Sequence, residues 1–420
     1  MKNKTVLLNA FSLLVLQGTN YLLPLITLPY LVRVLGQEKM GLIIFVTAFT
    51  QYFVMLCDFG FNYTATREIS INREDKNKVS EIFSKVLSIK LVLLGIAFCC
   101  MLLIVRIIPG YNNEMLVFIA GFTTVLGNAL FPLWFYQGIE NMKIVTILNI
   151  FSKVVTTIGI FVWVNSENDY ILAVFLQSLA FLITGIVGFI VAIKKFKISF
   201  KFKFSFRVFI VELKENWKVF MSTFSINIYN QGSIIILGLL TSKSIVGYYG
   251  IAQKIVQAVI GISQPFAQAI YPHLCRVYNL NKNKYKFEVK RLKVISILCS
   301  LILGIFTFCY SDFLTWLVTG ELNEKITVLV SFWSVVLVFI INNIVFNTFI
   351  LSMGKYKEMQ KMYGIISIVF LIIAPPLTYY FKEIGMSWSL LVVEGYIFIK
   401  SVLITKLDFK NENVEEKNVN

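Results

Sequence analysis

The stretch Lys194-Lys195-Phe196-Lys197-Ile198-Ser199-Phe200-Lys201-Phe202-Lys203, followed by Arg207, Lys214 and Lys218, divides an otherwise strongly apolar chain. Only Glu212 and Glu215 oppose its charge. Lysines alternating with rings suit a surface segment that sets its rings into lipid and its ammonium groups among anionic headgroups. A solvated linker would carry the same pattern. On either side lie apolar halves, residues 1–193 and 219–406, close enough in length to suggest a repeated unit.

Composition settles the broad class. A chain with 57% hydrophobic and 15% charged residues, 38 phenylalanines and a mean hydropathy of +0.75 belongs in a membrane. Its net charge of +16 is spread between apolar runs instead of forming one face or tail, which excludes nucleic acid as the partner. The single histidine, His273, excludes a histidine-built metal centre, and no cofactor is expected. Cys57, Cys99, Cys100, Cys275, Cys299 and Cys309 fall in or beside apolar runs without CxxC spacing, so buried free thiols are expected. Behind Lys2 and Lys4, the run over residues 6–32 is too long for a signal-peptide core and reads as a first span.

Crossing the hydrocarbon takes about twenty mainly apolar residues of helix. Twelve such runs occur, near residues 6–32, 41–62, 83–108, 115–137, 144–164, 170–193, 220–240, 246–274, 294–316, 326–353, 362–381 and 385–405. They are continuous, whereas barrel strands alternate over about ten residues. The expected fold is therefore all-α and integral to the membrane, with twelve transmembrane helices in two six-helix lobes. An N-lobe (1–193), a basic cytoplasmic linker (194–218), a C-lobe (219–406) and a disordered cytoplasmic tail (407–420) follow from the same boundaries. With the N-terminus in the cytoplasm, 29 Lys and Arg fall on the inner side and only Arg33, Lys39, Arg106, Lys243, Lys325 and Lys382 on the outer. That asymmetry predicts two cytoplasmic termini. Six spans per half make any repeat a parallel one, and Gly41 and Gly247 open the second and eighth runs in corresponding places.

Polar spacing shows which faces avoid lipid. The eighth run carries Gln253, Gln257, Gln264 and Gln268 on one helical face, and the seventh carries Thr223, Asn227 and Gln231. The first run holds Gln17, Asn20, Pro24 and Thr27; the second holds Thr47, Thr50, Gln51 and Asp58. These four runs are expected to wall a hydrated cavity, against the alternative that their amides merely join neighbouring helices. Lys153 lies ten residues beyond Lys143 and Lys254 eleven beyond Lys243, about 15 Å deep at the helical rise. Neither reaches an interface easily, so each should meet water, a counter-ion or an anionic substrate. Lys90 and Lys400 stand near the basic ends at Lys85 and Lys406 and are expected to snorkel. Asp58 and Glu394 could neutralise lysines or bind a coupling proton or sodium ion. No phosphate loop, dinucleotide fingerprint, nucleophile elbow or HExxH pair occurs, so no enzyme is expected, and Asp58-Phe59-Gly60 lacks every other kinase element.

Several pieces together give a resemblance: Pro24, Pro29-Tyr30, Arg33 and Gly36 in the first run; Asp58-Phe59-Gly60 with Thr66-Arg67 after the second; residues 134–138 after the fourth; and Tyr271-Pro272 ending the eighth. On these the chain resembles the O-antigen and capsular repeat-unit flippases of the superfamily that also holds multidrug-and-toxin extruders and lipid II flippases. The resemblance implies a MATE-like fold in the bacterial cytoplasmic membrane, and alternating-access movement of an undecaprenyl-pyrophosphate-linked oligosaccharide from the inner to the outer leaflet. It implies a polysaccharide polymerase and a chain-length regulator as partners, and a monomer. Lys153 and Lys254, with Arg33 and Arg67 behind them, would attract the pyrophosphate. Asn20, Asn227, Gln231, Gln253 and Gln257 would bond the sugars, and Asp58 and Glu394 would bind the coupling ion. Two rivals are a drug or cation exporter of the same fold, which would want carboxylates dominant in its cavity, and a membrane polymerase or glycosyltransferase, which would want a large catalytic outer loop.

Overall fold

The computed structural model describes the backbone of residues 2–203, 205–261 and 263–419, and their side chains except those of residues 2–17, 19–22, 25, 269 and 407–419. Before the basic stretch come α1 (Lys2–Asp58), α2 (Phe61–Asn72), α3 (Lys76–Ile107), α4 (Met115–Leu130), α5 (Leu133–Gly138), α6 (Met142–Trp163) and α7 (Tyr170–Phe196). After it come α8 (Phe206–Asn230), α9 (Gly232–Leu240), α10 (Lys243–Ile260), α11 (Ser263–Leu280), α12 (Lys282–Cys309), α13 (Ser311–Thr319), α14 (Glu324–Ser352) and α15 (Tyr356–Val419). No strand occurs among the described residues.

Among the described residues eight helices are long and apolar enough to cross a membrane, or ten when each of two bent pairs counts as one span. The bent pairs are α8 with α9, at 49°, and α10 with α11, at 41°. Both α1 and α15, of 57 and 64 residues, would far exceed the hydrocarbon core, about 30 Å thick, if straight. Each is broken. Gly36 (φ 71°, ψ 174°) interrupts α1 in a region of backbone space that only glycine enters readily, and Lys382 (φ 50°, ψ −129°) interrupts α15. Both breaks coincide with gaps between the apolar runs read from the sequence. The outward faces keep large apolar side chains such as Leu103, Ile107, Ile158, Ile302 and Ile305. That much exposed apolar surface is stable only against lipid.

The chain forms two compact units, residues 1–227 and 228–420, whose boundary falls within α8. In the first unit α4 packs on α1, α3 and α7, and α6 packs on α1 and α7. The α4–α7 contact is made backbone to backbone: a Cβ on Gly127 would land on the Phe181 carbonyl, and one on Gly185 would land on the Gly127 carbonyl oxygen. Beneath this seam α5 buries Trp134, Phe135 and Tyr136 around Phe83 and Phe189, and the Tyr136 hydroxyl donates to the Gly188 carbonyl at 2.6 Å. In the second unit α14 is central and packs on α10, α11, α12 and α15. Asn342 of α14 accepts from Ser296 (2.6 Å) and donates to Ser300 (2.7 Å) of α12, so each buried amide atom is satisfied.

Three expectations need correction. Pro272 lies inside α11, so Tyr271-Pro272 does not end that helix. Cys57 alone of the six thiols is buried; Cys99, Cys299 and Cys309 are exposed on apolar helices. The basic stretch is not a free linker, because it lies within the first unit and is hydrogen-bonded to it. The expected tail from residue 407 lies outside the residues whose side chains are described.

Because neither backbone can yield at the glycine seam, Gly127→Leu and Gly185→Leu should each destabilise the protein by at least about 2–3 kcal/mol and lower the yield of monodisperse protein in detergent. Gly364→Ala and Gly395→Ala, where a Cβ meets nothing within 4 Å, should leave the thermal midpoint unchanged or raised.

Candidate functional site

In the first unit, Thr47, Thr50 and Gln51 on α1 face Thr124 of α4 and Gln177 and Ser178 of α7 across a cavity of about 80 Å³ closed by Gly121 and Phe181. The close approach depends on Gly121, since a Cβ there would strike Val46. Thr47 and Thr50 return their hydroxyl protons to the helix, at 2.8 Å on Ile43 O and 3.1 Å on Thr47 O, leaving oxygen lone pairs toward the cavity. This space accommodates a few waters. The Lys153 ammonium stands 6.0 Å from the centroid of the Phe181 ring, at the edge of the same group. It is half-buried midway along α6.

Asp58 is paired with a lysine. Its carboxylate lies 3.4 Å from Lys90 Nζ, and the Lys90 side chain is only 3% exposed. Lys90, expected to snorkel, is thus turned inward by a carboxylate 32 residues away in the sequence but adjacent in space. Arg33 is exposed near the Gly36 break, and Arg67 is exposed on α2, where it makes no ion pair among the described residues. Asn227 is half-buried; its side-chain amide donates to Thr223 O at 2.9 Å and its backbone carbonyl accepts from the Tyr52 hydroxyl at 3.1 Å. The side chains of Gln17 and Asn20 lie outside the described residues.

The second unit holds the other predicted residues. Lys254 is half-buried in the middle of α10 and enters no ion pair among the described residues. Gln253 beside it is buried, while Gln257 and Gln268 are exposed and Gln264 is half-buried. The bend between α10 and α11 divides this stripe, so four glutamines in register in the sequence do not share one environment. Gln231 is half-buried at the break between α8 and α9. Glu394, 9% exposed, accepts from Asn343 Nδ2 at 2.7 Å, and Asn347 Nδ2 donates to the Tyr363 hydroxyl at 2.5 Å. Tyr229 stacks parallel to Tyr363 with centroids 6.4 Å apart. The amide oxygens of Asn343 and Asn347 are buried with no hydrogen-bond donor among the described residues.

Thr124, Gln177, Ser178, Asn343, Asn347 and Tyr363 were missed from the sequence. Gln177-Ser178 is a polar pair inside an apolar run, but nothing local tells which neighbours it meets. The residues carrying the family resemblance are mostly structural here. Tyr30 donates to Val164 O at 2.7 Å, Phe59 stacks on Phe220 at 4.3 Å, and Trp134, Phe135 and Tyr136 are fully buried.

A family model described as "Polysaccharide biosynthesis protein" matches residues 6–278. A protein named "Putative O-antigen transporter" from Escherichia coli (strain K12) is 33% identical over 397 residues, covering 92% of this chain and 93% of that protein. A protein of the same name from Shigella dysenteriae is 29% identical over 405 residues, covering 93% and 98%. Among solved structures, the lipid II flippase MurJ in an inward closed conformation aligns with a TM-score of 0.71 at 13% identity, over 95% of this chain and 87% of that one. An inward-facing multidrug resistance MATE transporter of the MOP superfamily aligns with a TM-score of 0.65 at 13% identity, over 93% and 98%. At these identities the structural likeness is one of fold.

Removing one partner of the Asp58–Lys90 pair strands the other in a dry site, which costs about 3–5 kcal/mol in buried pairs. Asp58→Asn and Lys90→Met should each lower the thermal midpoint in detergent, and the double substitution should recover most of the loss.

Proposed function

We propose, from the premise that this chain belongs to the polysaccharide biosynthesis protein family, that it is a flippase for a lipid-linked oligosaccharide, and specifically for an undecaprenyl-pyrophosphate-linked repeat unit of a surface polysaccharide. The observation that carries the reading is Lys254: a cation held midway along an apolar helix with no carboxylate against it among the described residues. Such a charge is costly unless a transient anion meets it, and a pyrophosphate crossing about 30 Å of hydrocarbon needs such a partner. Lys153 takes the same role in the first unit, and Gln231, Gln253, Gln257, Asn227 and Asn20 bond sugar hydroxyls. Transport proceeds by alternating access, with both termini in the cytoplasm. Asp58 is paired with Lys90, so it is not one of the free carboxylates that a cation exporter would want dominant in its cavity.

Glu394 is the proposed coupling-ion site. A carboxylate at this depth with unpaired amide oxygens beside it and no basic partner among the described residues calls for a cation, either a proton or a sodium ion.

Disrupting the gene should cause lipid-linked repeat units to accumulate on the cytoplasmic leaflet. Accumulation of single units outside would instead indicate a polymerase, and drug sensitivity alone an exporter. Lys153→Ala and Lys254→Ala, at normal membrane levels, should each reduce surface polysaccharide, with affinity for the carrier pyrophosphate lowered about tenfold or more, the size expected for losing a charged hydrogen bond. Full complementation by the double variant would remove both lysines as anion ligands. Glu394→Gln should abolish the response of transport in proteoliposomes to an imposed sodium or proton gradient while leaving detergent-phase carrier binding intact.

A further inference from the structure

We propose that residues 197–203 and the outward face of α8 form a preformed binding surface for the headgroups of anionic phospholipids in the adjoining leaflet. The inference does not depend on which cargo is carried. Three serines of α3, four residues apart, hold this segment: Ser199 N donates to Ser80 Oγ at 3.2 Å, Lys201 N to Ser84 Oγ at 3.1 Å, and Lys203 N to Ser88 Oγ at 3.2 Å. Ser84 Oγ in turn donates to Ser199 O at 3.2 Å. The register is geometric. Four residues of helix rise about 6 Å and two residues of extended chain about 6.6 Å, so every second strap N–H meets every fourth helix hydroxyl. Ile198 is buried, and Phe200 packs against Phe83 and Phe189. A chain of lysines that would otherwise be a loose linker is thereby fixed before any ligand arrives.

Beyond Ser205 the same design continues on α8. Phe209, Glu212, Asn216 and Phe220 recur at intervals of three, four and four and are buried. Glu212 meets Lys85 at 2.6 Å, Asn216 accepts from Thr64 at 2.5 Å, and Phe220 stacks on Phe59. Arg207, Lys214 and Lys218 recur at seven and four on the opposite face and are exposed. Lys197, Lys201 and Lys203 are exposed as well, with Phe202, Phe206 and Trp217 exposed among them. None of these six cations joins an ion pair among the described residues. Since Lys85 engages Glu212, only Glu215 opposes the stripe. Fixed cations interleaved with exposed rings match a negatively charged lipid interface, in which ammonium groups take phosphates and rings enter the headgroup–acyl boundary.

The test uses the full-length protein purified from mixed micelles of phosphatidylcholine and phosphatidylglycerol, with retained lipids counted by native mass spectrometry. Wild type should retain phosphatidylglycerol preferentially, and the preference should collapse at high salt. Replacing Lys201, Lys203, Arg207, Lys214 and Lys218 by Gln should weaken the preference about tenfold or more with an unchanged thermal midpoint. Ser80→Ala, Ser84→Ala and Ser88→Ala combined remove no charge, yet should weaken it several-fold by releasing the strap. Absence of preference in wild type, or its persistence in the glutamine variant, overturns the proposal; persistence in the serine variant overturns the preformed surface. Displacement of phosphatidylglycerol by inorganic pyrophosphate also overturns it, since the surface would then select the phosphate group itself and not a lipid interface.

Discussion

A polar side chain half-way along an apolar helix has no water to fall back on, and the architecture follows from how each such group is answered. Lys90 is answered by Asp58, and Asn342 by two serines. Those contacts join helices and leave nothing over. Among the described residues Lys254 has no such carboxylate, and the amide oxygens of Asn343 and Asn347 have no donor. Where donors and acceptors balance, as at Asn342, the contact joins helices.

Within the first unit, rigidity comes from close approach and aromatic filling. The Gly127–Gly185 seam lets two backbones touch, and without a hydrophobic driving force between helices in lipid, such van der Waals contact is what holds them. Trp134, Phe135 and Tyr136 then fill the base of the bundle against Phe83, and Phe59 carries the packing to Phe220 of α8. The residues that mark the family are therefore mainly the residues that build this bundle. The polar groups proposed to meet cargo sit elsewhere, on α6, α10 and the break before α9.

The basic stretch shows how one segment serves two environments. Its inward side completes the core through Ile198, Phe209 and Phe220, and its outward side keeps the cations. Alternation with period two along the strap and a helical period on α8 let the same chain present both. Serine suits the helix side of the contact because its hydroxyl can accept from the strap while donating to a carbonyl, as Ser84 does.

Hydropathy by itself determined that this chain spans a membrane with helices, where the breaks at Gly36 and Lys382 fall, and which polar residues lie deep in apolar runs, because the cost of burying a charge or an unpaired amide in hydrocarbon is local and large. Only the tertiary structure decided that Lys90 turns inward, that Gln253 is buried while Gln257 is exposed, and that Thr124, Gln177 and Ser178 face Thr47 and Gln51 across one cavity. These outcomes depend on partners brought together from distant parts of the chain and on a 41° bend between α10 and α11. A linear pattern records the period of one helix, but neither its bend nor its neighbour.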